Sequence, residues 1–223
     1  MTTSAVILAA GCGSRLGAGA SKAFVPIGTQ PMICYCVKAF SRLSEIDDLV
    51  VVVRKEDMDR MRQVLQPAAD QLRLVEGGKT RRDSALAGVR AAKGDLVLVH
   101  DGARPFPSPS LIRRVLAAAQ RDGAAIPVLP ITDLLHRADG AGHINGEADV
   151  SAHALLVRAQ TPQGFKRTLL LESLEAAPPG VRDDATAVLQ SGGGVATVPG
   201  EETNIKITYP SDLSLAEAIA AHL

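Results

Sequence analysis

Short apolar, β-branched runs alternate along this chain with segments of helical period. Val6-Ile7-Leu8 reads as a strand running into a glycine-rich turn, Ala9-Ala10-Gly11-Cys12-Gly13-Ser14-Arg15-Leu16-Gly17. Ile33, Cys36, Val37, Phe40 and Leu43 then follow a 3.6-residue period, which predicts a helix. Leu49–Val53 is continuously apolar, as expected of a strand covered on both faces. A charged helix at about 56–66 and a short strand near Leu72–Val75 follow. Next come the loop Glu76-Gly77-Gly78-Lys79-Thr80-Arg81 and a helix carrying Ala85, Leu86 and Val89. Leu96–Val99 is another buried strand, ending at His100-Asp101-Gly102-Ala103-Arg104-Pro105. A helix over Leu111, Ile112, Val115, Leu116 and Ala119 precedes the strand Ala125–Leu129.

This alternating β-α rhythm predicts an α/β fold. It implies a single Rossmann-like domain over 1–223, with a mostly parallel twisted sheet flanked by helices and right-handed crossovers. The rhythm breaks at Pro130. Ile131 to about Arg158 is polar, contains glycines and is longer than an ordinary connection. It reads either as an extended β-arm at 131–158 serving an interface or as a surface insertion. The α/β character resumes with Ala159-Gln160-Thr161-Pro162-Gln163-Gly164-Phe165, two short helices, the strand Val195–Val198 and a final helix over Leu213, Leu215, Ala216 and Ile219.

Composition narrows the function classes. The 223 residues are ample for one core, and 46% apolar content excludes a disordered chain. Lys+Arg 24 balance Asp+Glu 24, which argues against a nucleic-acid binder working through bulk positive charge. Two Tyr, four Phe and no Trp hardly furnish a base-stacking platform. Cys12, Cys34 and Cys36 are odd in number and lack C-x-x-C spacing, so reduced thiols and a cytoplasmic location are expected. There is no basic signal-peptide region, and no apolar stretch approaches the ~20 residues of a membrane span. Five scattered histidines offer no zinc-ligand spacing.

Function must then lie in a local site. In a doubly wound sheet, ligands bind beyond the carboxyl ends of the strands. Four loops should gather there: Gly11–Lys22, Gly77–Ser84, Asp101–Arg104 and the segment ending at Lys206. They combine glycine backbone, which lets N–H groups approach phosphate oxygens, with cations and a carboxylate. That set suits a nucleoside triphosphate, with Arg15 and Lys22 adding two cations to the first loop. The loop is not a P-loop, because no glycine precedes Lys22. Nor is it a dinucleotide fingerprint, because Gly13 to Gly17 is one residue too long, which disfavours a dehydrogenase. A tight turn with solvated cations is the plain alternative. Asp101 ends a buried strand and either holds Mg²⁺ among phosphates or caps the following turn. Arg104 either pairs with Asp101 or meets the ligand. Ser84 caps a helix or faces a ligand, and Lys206 by itself reads as a solvated strand residue.

Together the segments are more specific. Ala9 to Leu16, with Lys22 further on, resembles the L-A-A-G-x-G-x-R-[LM] … K signature of nucleotidyltransferases that make nucleotide-activated sugars and polyols. His100–Pro105, Gln160–Phe165 and Asn204-Ile205-Lys206 narrow the resemblance to the 2-C-methyl-D-erythritol 4-phosphate cytidylyltransferase family, from about Val6 to the last helix. The resemblance implies cytidylyl transfer from CTP to methylerythritol 4-phosphate in non-mevalonate isoprenoid synthesis. It also implies Mg²⁺ and a homodimer whose arms reach toward the partner's site. By the same resemblance, Ala10, Gly11, Gly13, Arg15 and Lys22 cradle the CTP phosphates, while Gly78, Arg81 and Ser84 lie by the cytidine. Arg104 belongs to the nucleotide site and Asp101 binds Mg²⁺. Arg15, Lys22 and Lys206 are catalytic, with Lys206 on the reacting α-phosphate.

The chain departs from the family on the acceptor side. The positions where the family has Thr, Arg and Thr toward methylerythritol phosphate hold Leu134, His153 and Arg182, and Ser21 replaces a proline before Lys22. Thr132 or Arg158 could compensate, and His153 would make acceptor binding pH-dependent near its ordinary pKa of ~6.5. The alternatives are therefore another polyol phosphate, such as ribitol 5-phosphate, or a nucleotide-binding regulator without turnover. Intact Arg15, Lys22, Asp101 and Lys206 speak against the regulator.

Overall fold

Apolar runs become strands here because both faces of the sheet are covered. A computed structural model of the protein describes residues 1–11, 13, 21–66, 72–147, 155–178 and 180–222. The first strand, β1 (Thr3–Leu8), is followed by a small hairpin of β2 (Pro26–Ile27) and β3 (Gln30–Pro31) and by α1 (Met32–Ser41). Next come β4 (Asp48–Val53), α2 (Met58–Leu65), β5 (Leu72–Glu76), α3 (Arg81–Ala91), β6 (Leu96–Asp101), α4 (Pro109–Asp122) and β7 (Ala124–Pro130). Short 3-10 turns occupy Lys22–Phe24 and Lys55–Asp57, the latter forming the start of the expected charged helix.

β1 pairs in parallel with β4 on one side and β6 on the other, and β4 pairs in parallel with β5. Successive side chains point to opposite faces, so the continuous runs supply two cores. Ala5, Ile7, Val51 and Val53 pack with residues of α1, α2 and α4. Val6, Val50, Val52, Val97 and Val99 pack with residues of α3 and of two later helices. Burying a Val or Ile side chain stabilises by about 1.5–3 kcal/mol, which explains the unbroken apolar runs Ala5–Leu8, Leu49–Val53 and Leu96–Val99.

The stretch after Pro130 contains an antiparallel hairpin of β8 (His136–Ala138) on β9 (Ile144–Glu147). The chain then returns through β10 (Val157–Ala159) and β11 (Gln163–Lys166), and continues as α5 (Arg167–Ala176), α6 (Asp184–Gln190), β12 (Ala196–Pro199) and α7 (Ser211–Ala220). Ala125 pairs with Gly164 of β11 and with Ala196 of β12, so these two strands lie on opposite edges of β7. β11 also pairs antiparallel with β6. The returning strand β11 is thus wedged between β6 and β7, and with β10, which also pairs antiparallel with β7, it makes the mostly parallel sheet mixed. Linear pattern does not reveal that wedge, because strand direction leaves no mark on hydrophobic period.

Two devices set α3, which borders the site. Thr80 and Asp83 form a reciprocal capping box: Thr80 Oγ1 accepts from the Asp83 N–H at 3.1 Å, and Asp83 Oδ2 accepts from the Thr80 N–H at 3.2 Å. Gly88 lets the helix lie close on the sheet, where any Cβ would collide with Val6 Cγ1.

Candidate active site

From β1 the chain moves outward to β4 and β5, then returns to β6 on the opposite side of β1. Loops leaving the carboxyl ends of β1 and β6 therefore diverge and open a crevice. A cleft of about 750 Å³ occupies it, and its lining includes Ala10, Gly11, Gly13, Lys22, Gly78, Arg81, Ser84, Asp101 and Lys206. Nine of the expected site residues are thus brought together from four distant stretches of sequence. Arg15 and His153 lie outside the described residues.

At the centre is a run of alternating charge. Lys206 Nζ donates to Asp101 Oδ2 at 2.7 Å. Arg81 reaches Asp101 Oδ1 through Nε at 3.4 Å and Nη2 at 3.3 Å, and its Nη2 donates to Asp184 Oδ2 at 2.8 Å. Burial alone would raise the Asp101 carboxyl. Arg81 and Lys206 outweigh it and hold the group well below the usual carboxylate range. Burial likewise works against the Arg81 cation, but Asp184 and Asp101 together hold its pKa above the ordinary value. Asp184 is fully buried, and burial raises its pKa despite Arg81. Its second oxygen, Oδ1, has no hydrogen-bond partner among the described residues. Asp184 is a member of this cluster that sequence reasoning missed. Read linearly, it is one half of an Asp183-Asp184 pair before a helix, whereas its pairing with Arg81 spans 103 residues.

Behind Asp101 stands a second buried network. His100 is fully buried against Phe40, and burial pushes its imidazole down to about 4, so the ring is neutral near pH 7. Its Nε2 lies 2.8 Å from the Arg104 carbonyl, which can only accept, so Nε2 carries the hydrogen. Nδ1, 3.1 Å from Thr161 Oγ1, therefore accepts from the threonine hydroxyl. Thr161 Oγ1 in turn accepts from the Asp101 N–H at 3.1 Å.

The neighbours of Thr161 brace the other walls. Gln160 Nε2 donates to the Glu201 carbonyl at 2.8 Å, and its Oε1 accepts from the Glu201 N–H at 3.0 Å. These two hydrogen bonds pin the turn leading to Lys206. Gly200 is required there, since a Cβ would sit 2.5 Å from Gln160 Oε1 and 3.0 Å from the Val128 carbonyl. Gln163 accepts from the Ala185 N–H and donates to Asp183, fastening the start of α6 beside Asp184.

Other expected site residues fall differently. Arg104 does not line the cleft, and its guanidinium donates not to the Asp101 carboxylate but to the carbonyls of Asn204 at 2.7 Å and Ala159 at 3.3 Å. It braces the segment that carries Lys206. Ser84 is not the helix cap, a role taken by Thr80; its hydroxyl donates to the Thr80 carbonyl at 3.0 Å. Leu134 follows β7 and is 71% exposed. Arg182 is exposed in the turn before α6. Arg158 reaches both oxygens of Glu202, at 3.1 and 3.2 Å.

Residues 3–222 match the family described as IspD, 2-C-methyl-D-erythritol 4-phosphate cytidylyltransferase. The protein of that name from Cereibacter sphaeroides is 37% identical over 224 residues, covering 99% of this chain and 98% of the relative. A bifunctional IspD/IspF enzyme from an Anaeromyxobacter species is 43% identical over 222 residues, with 96% of this chain matched to 56% of that longer protein. Among solved structures, the 2-C-methyl-D-erythritol 4-phosphate cytidylyltransferase of Thermus thermophilus aligns with a TM-score of 0.78 at 36% identity, covering 97% of this chain and 98% of the other. The 4-diphosphocytidyl-2C-methyl-D-erythritol synthase of Anaerococcus prevotii aligns with a TM-score of 0.84 at 29% identity, covering 99% and 96%.

Proposed function

Because this chain belongs to the 2-C-methyl-D-erythritol 4-phosphate cytidylyltransferase family and is a cytidylyltransferase, we propose that the cleft between β1 and β6 is where CTP and the acceptor meet. The reaction transfers the cytidylyl group of CTP to 2-C-methyl-D-erythritol 4-phosphate, giving 4-diphosphocytidyl-2-C-methyl-D-erythritol and pyrophosphate. The observation that carries the site assignment is the convergence of Lys22, Arg81, Asp101 and Lys206 on one cleft.

An acceptor phosphate oxygen attacks the α-phosphorus of CTP in line. A new P–O bond forms there, the bond to the β-phosphate oxygen breaks, and the electron pair leaves with pyrophosphate. A phosphate monoester has its second pKa near ~6, so it is already a dianionic nucleophile at neutral pH and needs no protein base. What the protein supplies is position and positive charge. Ala10, Gly11 and Gly13 offer backbone to the triphosphate, with Lys22 and Arg15 as cations. Lys206 swings from Asp101 to the reacting α-phosphate, a motion its half-exposed side chain permits. Gly78, Arg81 and Ser84 face the cytidine side. Arg182, exposed before α6, is the cation offered to the acceptor's phosphate.

Mg²⁺ fits this donor set. The ion usually takes one or two protein carboxylates and completes its octahedral shell from phosphate and water. Asp101 is ionised throughout the physiological range, and no group of three or more metal-ligating side chains forms a cage among the described residues. Asp101 would hold the ion, which would supply positive charge to neutralise the triphosphate.

The protein acts as a homodimer through its arm. Leu134, Ile144 and Leu155 are 71%, 67% and 89% exposed, an apolar set that a partner's surface would cover. The free thiols Cys34 and Cys36 suit a reducing compartment such as the cytoplasm. Pyrophosphate release from CTP across a panel of polyol phosphates tests the reading. Methylerythritol 4-phosphate is the expected preferred acceptor, and a preference for ribitol 5-phosphate would overturn it. Lys206→Ala should lower kcat on the order of 10²–10³-fold, as for loss of a transition-state donor.

A further inference from the structure

Thr161 lines no part of the cleft, yet it is only 5% exposed and its hydroxyl is committed in both directions. Its oxygen accepts from the backbone of Asp101, and its hydrogen goes to His100 Nδ1. The far side of His100 donates to the carbonyl of Arg104, so one side chain and one ring clasp both ends of the Asp101–Arg104 turn. Asp101 is the last residue of β6, where the ladder ends and its backbone direction is no longer set by both neighbouring strands. β11 pairs with β6 only as far as Val99, so antiparallel pairing on that side stops before Asp101. Thr161 donates nothing to substrate in this arrangement. It substitutes for the missing ladder bond at the residue whose carboxylate organises Lys206 and Arg81.

We propose that Thr161 is a positioning residue for cytidylyl transfer, acting through the backbone of Asp101 with His100 fixing the threonine rotamer. The inference rests on the assignment of Asp101 to the active site made above. Thr161→Val keeps the shape and removes the hydroxyl. It leaves the Asp101 N–H and the bare His100 Nδ1 without their partner, so the turn relaxes and the carboxylate shifts. Misplacement by about 1 Å costs on the order of 10²-fold in rate. Thr161→Ser retains the hydroxyl and only loses a methyl group.

The test is steady-state kinetics of pyrophosphate release on the full chain with CTP, methylerythritol 4-phosphate and Mg²⁺. Expected is a loss of kcat of roughly ten- to hundredfold in Thr161→Val with KM for CTP changed less than about threefold, and recovery in Thr161→Ser. In an Asp101→Asn background, Thr161→Val should cost less than about threefold more, because the group it orients is already gone. A folded Thr161→Val enzyme with wild-type kcat overturns the inference, as does a full additive loss in the Asp101→Asn background. If Thr161→Val does not fold, Thr161→Ala takes its place, and unfolding of both marks a purely structural bond and overturns it too. A silent Asp101→Asn would bring down the site assignment itself, whereas a deleterious Asp101→Asn with a silent Thr161→Val brings down this inference alone.

Discussion

Arg81 holds two carboxylates of unequal standing. Asp101 faces the cleft and also has Lys206, whereas Asp184 is fully buried and draws its ion pair from Arg81. Removing one member of a buried pair leaves an uncompensated charge and typically costs about 3–5 kcal/mol. Arg81→Met should therefore destabilise the protein by that order at pH 8. The sign of its pH dependence follows from burial. Without Arg81 the Asp184 pKa rises further, so the folded state takes up a proton more readily than the unfolded chain, whose carboxyl titrates near ~3.9. Stability then falls as pH rises between those two values, and the deficit should shrink as the pH is lowered toward the unfolded value. Urea unfolding at several pH values checks this, and a pH-independent deficit would count against the buried-charge account. At this scale Lys22 and Asp101 were legible in the sequence because a glycine loop and a strand end carry a local signature, whereas Lys206, a solvated strand residue by itself, gained its role only from the family resemblance. Asp184, His100 and Thr161 were not, since a buried polar side chain is identified only by a partner far away in the chain.

Helix α3 is placed by packing against its own propensity. Replacing a helical glycine with alanine usually gains about 1 kcal/mol. At Gly88 the added Cβ would collide with Val6 Cγ1 and come within 2.8 Å of Val52 Cγ2, both on central strands. Overpacking a well-filled core costs about 1–3 kcal/mol, which exceeds the propensity gain. Gly88→Ala should thus be destabilising by about 1 kcal/mol in urea unfolding, and stabilisation would refute the close-packing argument. The same displacement would move Arg81 and Ser84, so kcat/KM should fall with it. The elements themselves were largely readable: the strands at 49–53, 96–99 and 125–129 fall within β4, β6 and β7. The wedge of β11 between β6 and β7 was not, because neither strand direction nor a strand's neighbours leave a mark on the hydrophobic period.

For the whole molecule, equal numbers of acidic and basic residues leave no long-range field to attract polyanions. The positive charge that phosphate transfer requires is concentrated in the crevice by Lys22, Arg81 and Lys206. Exposed apolar side chains gather instead around the arm and its return, with Leu155, Leu156 and Val157 at 89%, 42% and 43% exposure. If they form the dimer contact, the double variant Leu155→Asp/Leu156→Asp should sediment as a monomer at concentrations where the wild type is a dimer. A monomeric wild type at micromolar concentration would overturn the assembly.

The alternation of the main strands and helices as far as β7, the two-sided burial of the central strands and the glycine-rich loops that line the cleft were determined by the sequence alone. Each depends on residues within a turn or two of one another, where apolar period, glycine and capping act. Tertiary structure decided which distant groups meet: Arg81 with Asp184 across 103 residues, Arg104 with the Asn204 carbonyl across 100, and Thr161 with His100 across 61. Those pairings arise when β11 inserts between β6 and β7 and each desolvated donor or acceptor must find a partner within reach. The linear pattern carries that demand for a partner, but not the partner's identity.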